Sequence, residues 1–329
     1  MTMNDTFSQI ARAIHEARHI AIACHIRPDG DAIGSIVGMA LSLQLSGKKV
    51  TVISEDGVPA NLTFLPGSEM VQISKGEEPL DIDLAIALDN ATKERLGERT
   101  NIAFSAAPIM INIDHHGTNP RYGNLNYIDI QSPATGQIVY EFLSQQGFEF
   151  NDAVRQNLFV AISTDTGSFQ YSCTTAQTHR IVAEMMDAGL DTAELAQQVY
   201  QTHPFRRTQL LRVLLNEMKF TADRRIASWA LTLATQQEIG VEPGDTEGLI
   251  DAMRTIEGVV AAVMFEEGPD RKVRVSARSK DQRLNVSKIC AEFGGGGHAM
   301  AAGARLPGPV AEAESRFLES LKNEIERIG

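Results

Sequence analysis

Only three cysteines occur in 329 residues (Cys24, Cys173 and Cys290), far apart and with no CxxC spacing. An odd, scattered set encodes neither a disulfide framework nor a zinc ribbon, and it suits a reducing compartment such as the cytoplasm. No uncharged apolar run reaches the roughly 18 residues of a membrane span, and the N-terminal stretch carries acidic groups and helical periodicity instead of an export signal. Positive charge is also short: 30 Lys and Arg stand against 42 Asp and Glu, a formal net charge of -12. Such a chain lacks the broad electrostatic grip that long duplex nucleic acid demands. Aromatic residues make up only 6%, with one Trp and five Tyr, too few for a long stacking channel along a single strand. Small anionic ligands remain, provided a metal or a local basic patch receives them.

What is present reads as two α/β domains. Short apolar runs at Ile20 to Cys24, Val50 to Ile53, Leu84 to Leu88 and Ile109 to Ile113 are predicted strands, and amphipathic patterns such as Ala32 to Leu45 lie between them. That alternation is the signature of a parallel sheet with helices on both faces, assigned to residues 1–190. Residues 191–220 read as a pair of helices around Pro204, a helical linker. Residues 221–329 read as a smaller α/β domain, with strands at Ile226 to Leu233, Val259 to Phe265 and Lys272 to Arg278. Helices are expected near Thr246 to Ile256 and over Val310 to Ile328.

The residues at the ends of the apolar runs mark the chemistry. The first run leads to His25, Asp29 and Asp31 in one strand-to-helix loop, and the third to Asp89. The fourth leads to Asp114, His115 and His116, and the apolar stretch Leu158 to Ile162 leads to Asp165. Loops beyond the carboxyl ends of parallel strands converge on one crevice. Alone, Asp31, Asp89 or Asp165 reads as a helix cap or turn residue; capping has no use for three histidines at the same ends. So many carboxylates in one crevice demand a counter-cation. Mixed His and Asp ligation without thiolate suits Mn²⁺ or Mg²⁺, with Mn²⁺ placed first. The number of ligands points to two ions, about 3.5 to 4 Å apart, and to phosphoester hydrolysis.

These segments resemble the DHH phosphoesterases, a family named for the triplet at 114–116. HIRPDGDAIGS at 25–35, LDNAT at 88–92, DHH at 114–116 and STDTGSF at 163–169 match the family's four motifs in order. RSK at 278–280 and GGGGHAMAAG at 294–303 resemble its DHHA1 nucleotide-binding domain, in the manner of the nanoRNase and pAp phosphatase branch. The resemblance implies that His25, Asp29 and Asp89 bind one metal, and that Asp31, Asp89, His115 and Asp165 bind the other. It implies further that Asp89 bridges them, that His116 faces the substrate phosphate, and that Asp114 orients a histidine.

Seven basic residues between 271 and 288 (Arg271, Lys272, Arg274, Arg278, Lys280, Arg283, Lys288) meet one acid, Asp281. Arg271 and Lys272 read as a solvated strand edge. Arg278 and Ser279 end an alternating strand, and Gly294, Gly295, Gly296, Gly297 and His298 come after a helical stretch. Glycines allow close backbone approach to an oxyanion, and Arg278 with His298 could hold a phosphate or stack on a base. A tetraglycine alone is equally a turn.

The expected substrates are short 5′-phosphorylated single-stranded oligoribonucleotides and 3′-phosphoadenosine 5′-phosphate (pAp), one phosphate at the metals and the far end in the glycine and arginine cradle. Linear or cyclic dinucleotides (c-di-AMP, pApA, pGpG) are the alternative, and a noncatalytic nucleotide-binding scaffold is a further one. Exposed apolar helix surface in the first domain allows a homodimer; no membrane partner is expected.

Overall fold

The apolar runs of the first domain form a parallel sheet in the computed structural model, which describes residues 4–242 and 244–328. Its strands are β1 (His19–Ala23), β2 (Lys49–Ser54), β3 (Val71–Ile73), β4 (Leu84–Leu88), β5 (Met110–Asp114) and β6 (Leu125–Ile128), in the order β3-β2-β1-β4-β5-β6. The helices are α1 (Phe7–Glu16), α2 (Gly30–Leu45), α3 (Glu98–Phe104), α4 (Thr135–Gln145), α5 (Asp152–Asp165), α6 (Ala176–Asp187) and α7 (Thr192–Tyr200). Alternate side chains of a strand point to opposite faces. Ile20, Ile22, Leu84, Ile86 and Leu88 therefore pack against α1, α2, α4 and α5 on one side. The small Ala21, Ala23, Ala85 and Ala87 leave room for Leu96, Ala103 and Phe104 on the other. The strand order reverses between β1 and β4, the place where doubly wound sheets open a crevice.

One apolar stretch differs in kind from the four runs that form strands. Leu158 to Ile162 is not a strand; it lies inside α5, which Asn151 starts by accepting the Val154 N–H. A short apolar run does not distinguish a buried strand from a buried helix. Here the helix wins because the run faces α2. Glycines 30, 34 and 38 form a flat stripe along α2, and a Cβ at Gly34 would lie 2.4 Å from the Asn157 carbonyl oxygen. Close packing of α2 on α5 brings the first turn of one beside the last turn of the other, so Asp31 and Asp165 meet.

The chain divides into two units between Thr202 and His203. The 191–220 stretch is thus shared: α7 lies in the first unit and α8 (Phe205–Glu217) in the second. The second unit continues with β7 (Lys219–Phe220), β8 (Ile226–Leu231), α9 (Leu233–Ile239), α10 (Leu249–Arg254), β9 (Ala261–Glu267) and β10 (Lys272–Ser279). It ends with α11 (Val286–Glu292), β11 (Gly296–His298), β12 (Ala301–Pro307) and α12 (Val310–Ile328). Its sheet runs β11-β12-β10-β9-β8-β7, antiparallel except for β8 with β9. Ala313, Phe317, Leu321 and Ile325 place the apolar stripe of α12 on one face, while α8 and α10 cover Trp229 on the other. Among the described residues no helix is long and apolar enough to cross a membrane.

Candidate metal centre

His25 lies two residues past the end of β1, and its imidazole is nearly fully buried. Its Nδ1 is engaged by the Ile26 carbonyl oxygen at 2.8 Å, which leaves Nε2 turned toward Asp89 at 3.3 Å and Asp29 at 3.7 Å. Asp29 does two things at once. One carboxylate oxygen caps α2 through the Ala32 N–H at 3.0 Å, and the other faces His25.

His115 repeats this arrangement from β5. Its Nδ1 meets the Ser132 carbonyl oxygen at 3.3 Å, and its Nε2 lies 3.2 Å from Asp165, 3.4 Å from Asp89 and 3.8 Å from Asp31. Carbonyl oxygens that engage one ring nitrogen fix the tautomer and present the other nitrogen as a ligand, the usual support of a metal-binding histidine. Asp89 holds a left-handed backbone (φ 51°) directly after β4, a conformation costly for a residue other than glycine. Strain of this kind persists where surrounding structure over-determines it. His25, Asp29 and Asp89 offer ligand atoms within 4.8 Å of one another, and so do Asp31, Asp89 and His115. Asp89 belongs to both groups.

Charge in the cluster is unbalanced without a cation. Burial, then the charges of Asp89 and Asp165, push the Asp31 carboxyl well above the ordinary carboxylate range. Burial likewise pushes Asp165 up to about 7, and its seat in the last turn of α5, the negative end of a helix, adds to the cost. Burial opposes charge on His115, yet the Asp89 hydrogen bond and the Asp165, Asp89 and Asp31 carboxylates outweigh it and hold the imidazole well above its usual value. Against the pull of burial, hydrogen bonds from His115 and His25 and the charges of His25 and His116 hold Asp89 well below the carboxylate range. Hard oxygen and imidazole donors, buried and short of positive charge, suit divalent cations.

His116 stands beside this group. Its Nδ1 is 2.8 Å from Asp114 and 3.7 Å from Asp89. Two contributors were not legible from the motifs. The Thr135 hydroxyl donates to Asp89 at 3.1 Å, and Asn119 donates to Asp114 at 2.7 Å. A threonine opening a helix after Ser-Pro-Ala gives no hint that its hydroxyl turns to a neighbouring strand. His179 packs its ring on Phe169, the centroids 5.5 Å apart.

In the second unit two members of the basic run have carboxylate partners. Arg274 pairs with Glu266 and Arg283 with Asp281. The Ser279 side chain is buried, and its hydroxyl closes a turn with Asp281, donating to the carbonyl oxygen at 2.9 Å and accepting the N–H at 3.0 Å. The tetraglycine is not a loose turn. Gly294 (φ 74°) ends α11, and Gly296 and Gly297 pair with β12. A Cβ on Gly295 would lie 2.1 Å from the Gly303 carbonyl oxygen. Arg278 and His298 both pair in register with Ala301, one from each side, so they share a row across β10, β12 and β11.

Imidazole and carboxylate groups gathered at the switch point of a parallel sheet define a divalent-metal-binding α/β protein. The DHH family, N-terminal domain, matches residues 19–163, and the DHHA1 domain matches 230–327. The bifunctional oligoribonuclease and PAP phosphatase NrnA of Thermus thermophilus is 33% identical over 314 residues, 94% of this chain and 91% of that protein. The Bacillus subtilis protein of the same name is 26% identical, over 91% and 93%. An exopolyphosphatase-related protein from Bacteroides fragilis has the same fold, with a TM-score of 0.87 and 26% identity over 96% and 95% of the two chains. The chain belongs to the DHH family of metal-dependent phosphoesterases, in the form that carries a DHHA1 domain, and is a hydrolase of phosphoester bonds.

Proposed function

We propose that this protein hydrolyses short 5′-phosphorylated oligoribonucleotides to mononucleotides and pAp to AMP, using two divalent cations, Mn²⁺ by preference. The observation that carries the reading is the position of Asp89, shared between the His25, Asp29 group and the Asp31, His115 group. His25, Asp29 and Asp89 would hold one ion, and Asp31, Asp89, His115 and Asp165 the other. When bound, the ions supply positive charge for phosphoryl oxygens and acidify water. His116, fixed through Nδ1 by Asp114, directs its Nε2 to the scissile phosphate, to steady its charge or hand a proton to the leaving oxygen.

Within the second unit, Arg278 and His298 share a row suited to a nucleotide phosphate or base, beside the glycines 295, 296 and 297. Ser279 contributes by fixing the end of β10, its hydroxyl being spent on the Asp281 turn. The named relatives from Thermus thermophilus and Bacillus subtilis, matched over nearly their whole length, support this substrate class. We place the protein in the cytoplasm, a setting that suits its three unpaired cysteines. With Mn²⁺ present, 5′-phosphorylated di- to pentanucleotides should release mononucleotides and pAp should yield AMP, and EDTA should stop both. Metal-independent turnover, or none on either substrate, would overturn the proposal.

A further inference from the structure

We infer that Asn119 is a positioning residue for His116, acting through Asp114; the inference rests on the role proposed for His116. Asn112 and Asp114 lie two residues apart on β5 and project to the same face. The chain then turns back, the Asn119 N–H donating to the His116 carbonyl oxygen at 3.1 Å, and Asn119 Oδ1 accepts the Arg121 N–H at 2.7 Å. This turn aims Nδ2 of Asn119 at the strand it has just left, where it donates to Asp114 Oδ2 at 2.7 Å and to Asn112 Oδ1 at 2.8 Å, with a longer contact to the Asn90 carbonyl oxygen at 3.3 Å. Asn112 is itself held from the other side, its Nδ2 donating to the carbonyl oxygens of Ala87 and Asn90.

The consequence falls on the fully buried Asp114. A carboxylate held by one oxygen can rotate about its last torsion, which is broad and roughly two-fold. With Oδ2 held by Asn119, Oδ1 has a fixed direction, and Oδ1 is the atom 2.8 Å from His116 Nδ1. The order Asn119, Asp114, His116 therefore aims an imidazole whose side chain is 12% exposed. None of these side-chain hydrogen bonds of Asn119 goes to Asp31, Asp89 or His115, so its effect should fall on turnover.

The test is a double-mutant cycle on the full chain loaded with Mn²⁺ and assayed on pAp. Asn119→Asp is nearly isosteric and keeps an acceptor for the Arg121 N–H, but has no donor for Asp114; Asn119→Ala is the second variant. Each should lower kcat roughly ten- to a hundredfold, with KM and the Mn²⁺ titration midpoint within about twofold of the parent. In a His116→Ala background the same changes should alter kcat by less than about twofold, because the residue they act through is gone. A turn that merely holds the loop would cost the same in both backgrounds. Unchanged kcat in the single variants, or losses that multiply, overturn the inference. If His116→Ala alone leaves kcat intact, the role proposed for His116 falls and the relay with it; multiplied losses beside a damaged His116→Ala remove only the relay.

Discussion

The carboxylate of Asp31 accepts the backbone N–H of Thr135 at 2.7 Å, across 104 residues of sequence. With the Gly136 N–H at 2.8 Å it caps α4, whose own flanking residue, Ala134, supplies no side-chain cap. A residue of the acidic cluster is thus also a fastener of the fold, and the helix it fastens returns the Thr135 hydroxyl to Asp89. Thr135→Val keeps the backbone contact and the shape but loses that hydroxyl. It should weaken Mn²⁺ binding about tenfold or more by calorimetric titration, with thermal stability little changed, and Thr135→Ser should bind as the parent does.

Close packing of α2 on α5 is the second support. In Gly34→Ala the new Cβ would lie 2.4 Å from the Asn157 carbonyl oxygen and 2.9 Å from the Ala161 Cβ, and backbone cannot give as a side chain can. The substitution should cost about 1 to 3 kcal/mol in urea unfolding. It should also weaken metal binding, since Asp31 and Asp165 reach the cluster from these two helices.

Much of this was legible because buried strands are monotonous. His25, Asp89 and Asp114 interrupt apolar runs, and a parallel sheet sends every such interruption to one edge. Asp165 was found by the same rule although its run is helical, since a helix end delivered it to the same place. The supports were not legible. Asp31 caps a helix other than its own, and Asn119 looks back at its own strand from a turn. Contacts of that kind depend on tertiary register, which no local pattern records. In the basic run at 271–288, Arg274 pairs with Glu266 on the neighbouring strand, a pairing that no local pattern records.

The metal-free protein should lose stability as pH rises from about 5 to 8. Asp31 and Asp165, with raised values, keep protons in the folded state that the unfolded chain has already released, so their ionisation opposes folding above the ordinary carboxylate range. His115 acts in the same direction: its raised value stabilises the fold below its ordinary pKa, and that contribution fades as pH climbs through the folded value. Asp89 and Asp114, held low, add stability that is already complete in this window and is lost only in acid. Urea midpoints with EDTA at both ends of the range check this, and Mn²⁺ should flatten the slope.

Arg278→Ala should raise KM for pAp by roughly tenfold or more, the scale of one lost hydrogen bond to a charged group. The Mn²⁺ titration should stay within about twofold of the parent, because Arg278 is not among the residues proposed to hold the ions. Steady-state kinetics beside a metal titration separates the two effects.

The most direct measurement is hydrolysis of pAp and of a 5′-phosphorylated trinucleotide by the parent chain and Asp89→Asn, with bound Mn²⁺ counted by mass spectrometry on the same samples. The parent should hold two ions and turn over both substrates, and Asp89→Asn should lose at least one ion and both activities together. Unchanged turnover in Asp89→Asn would contradict a centre built around that shared carboxylate.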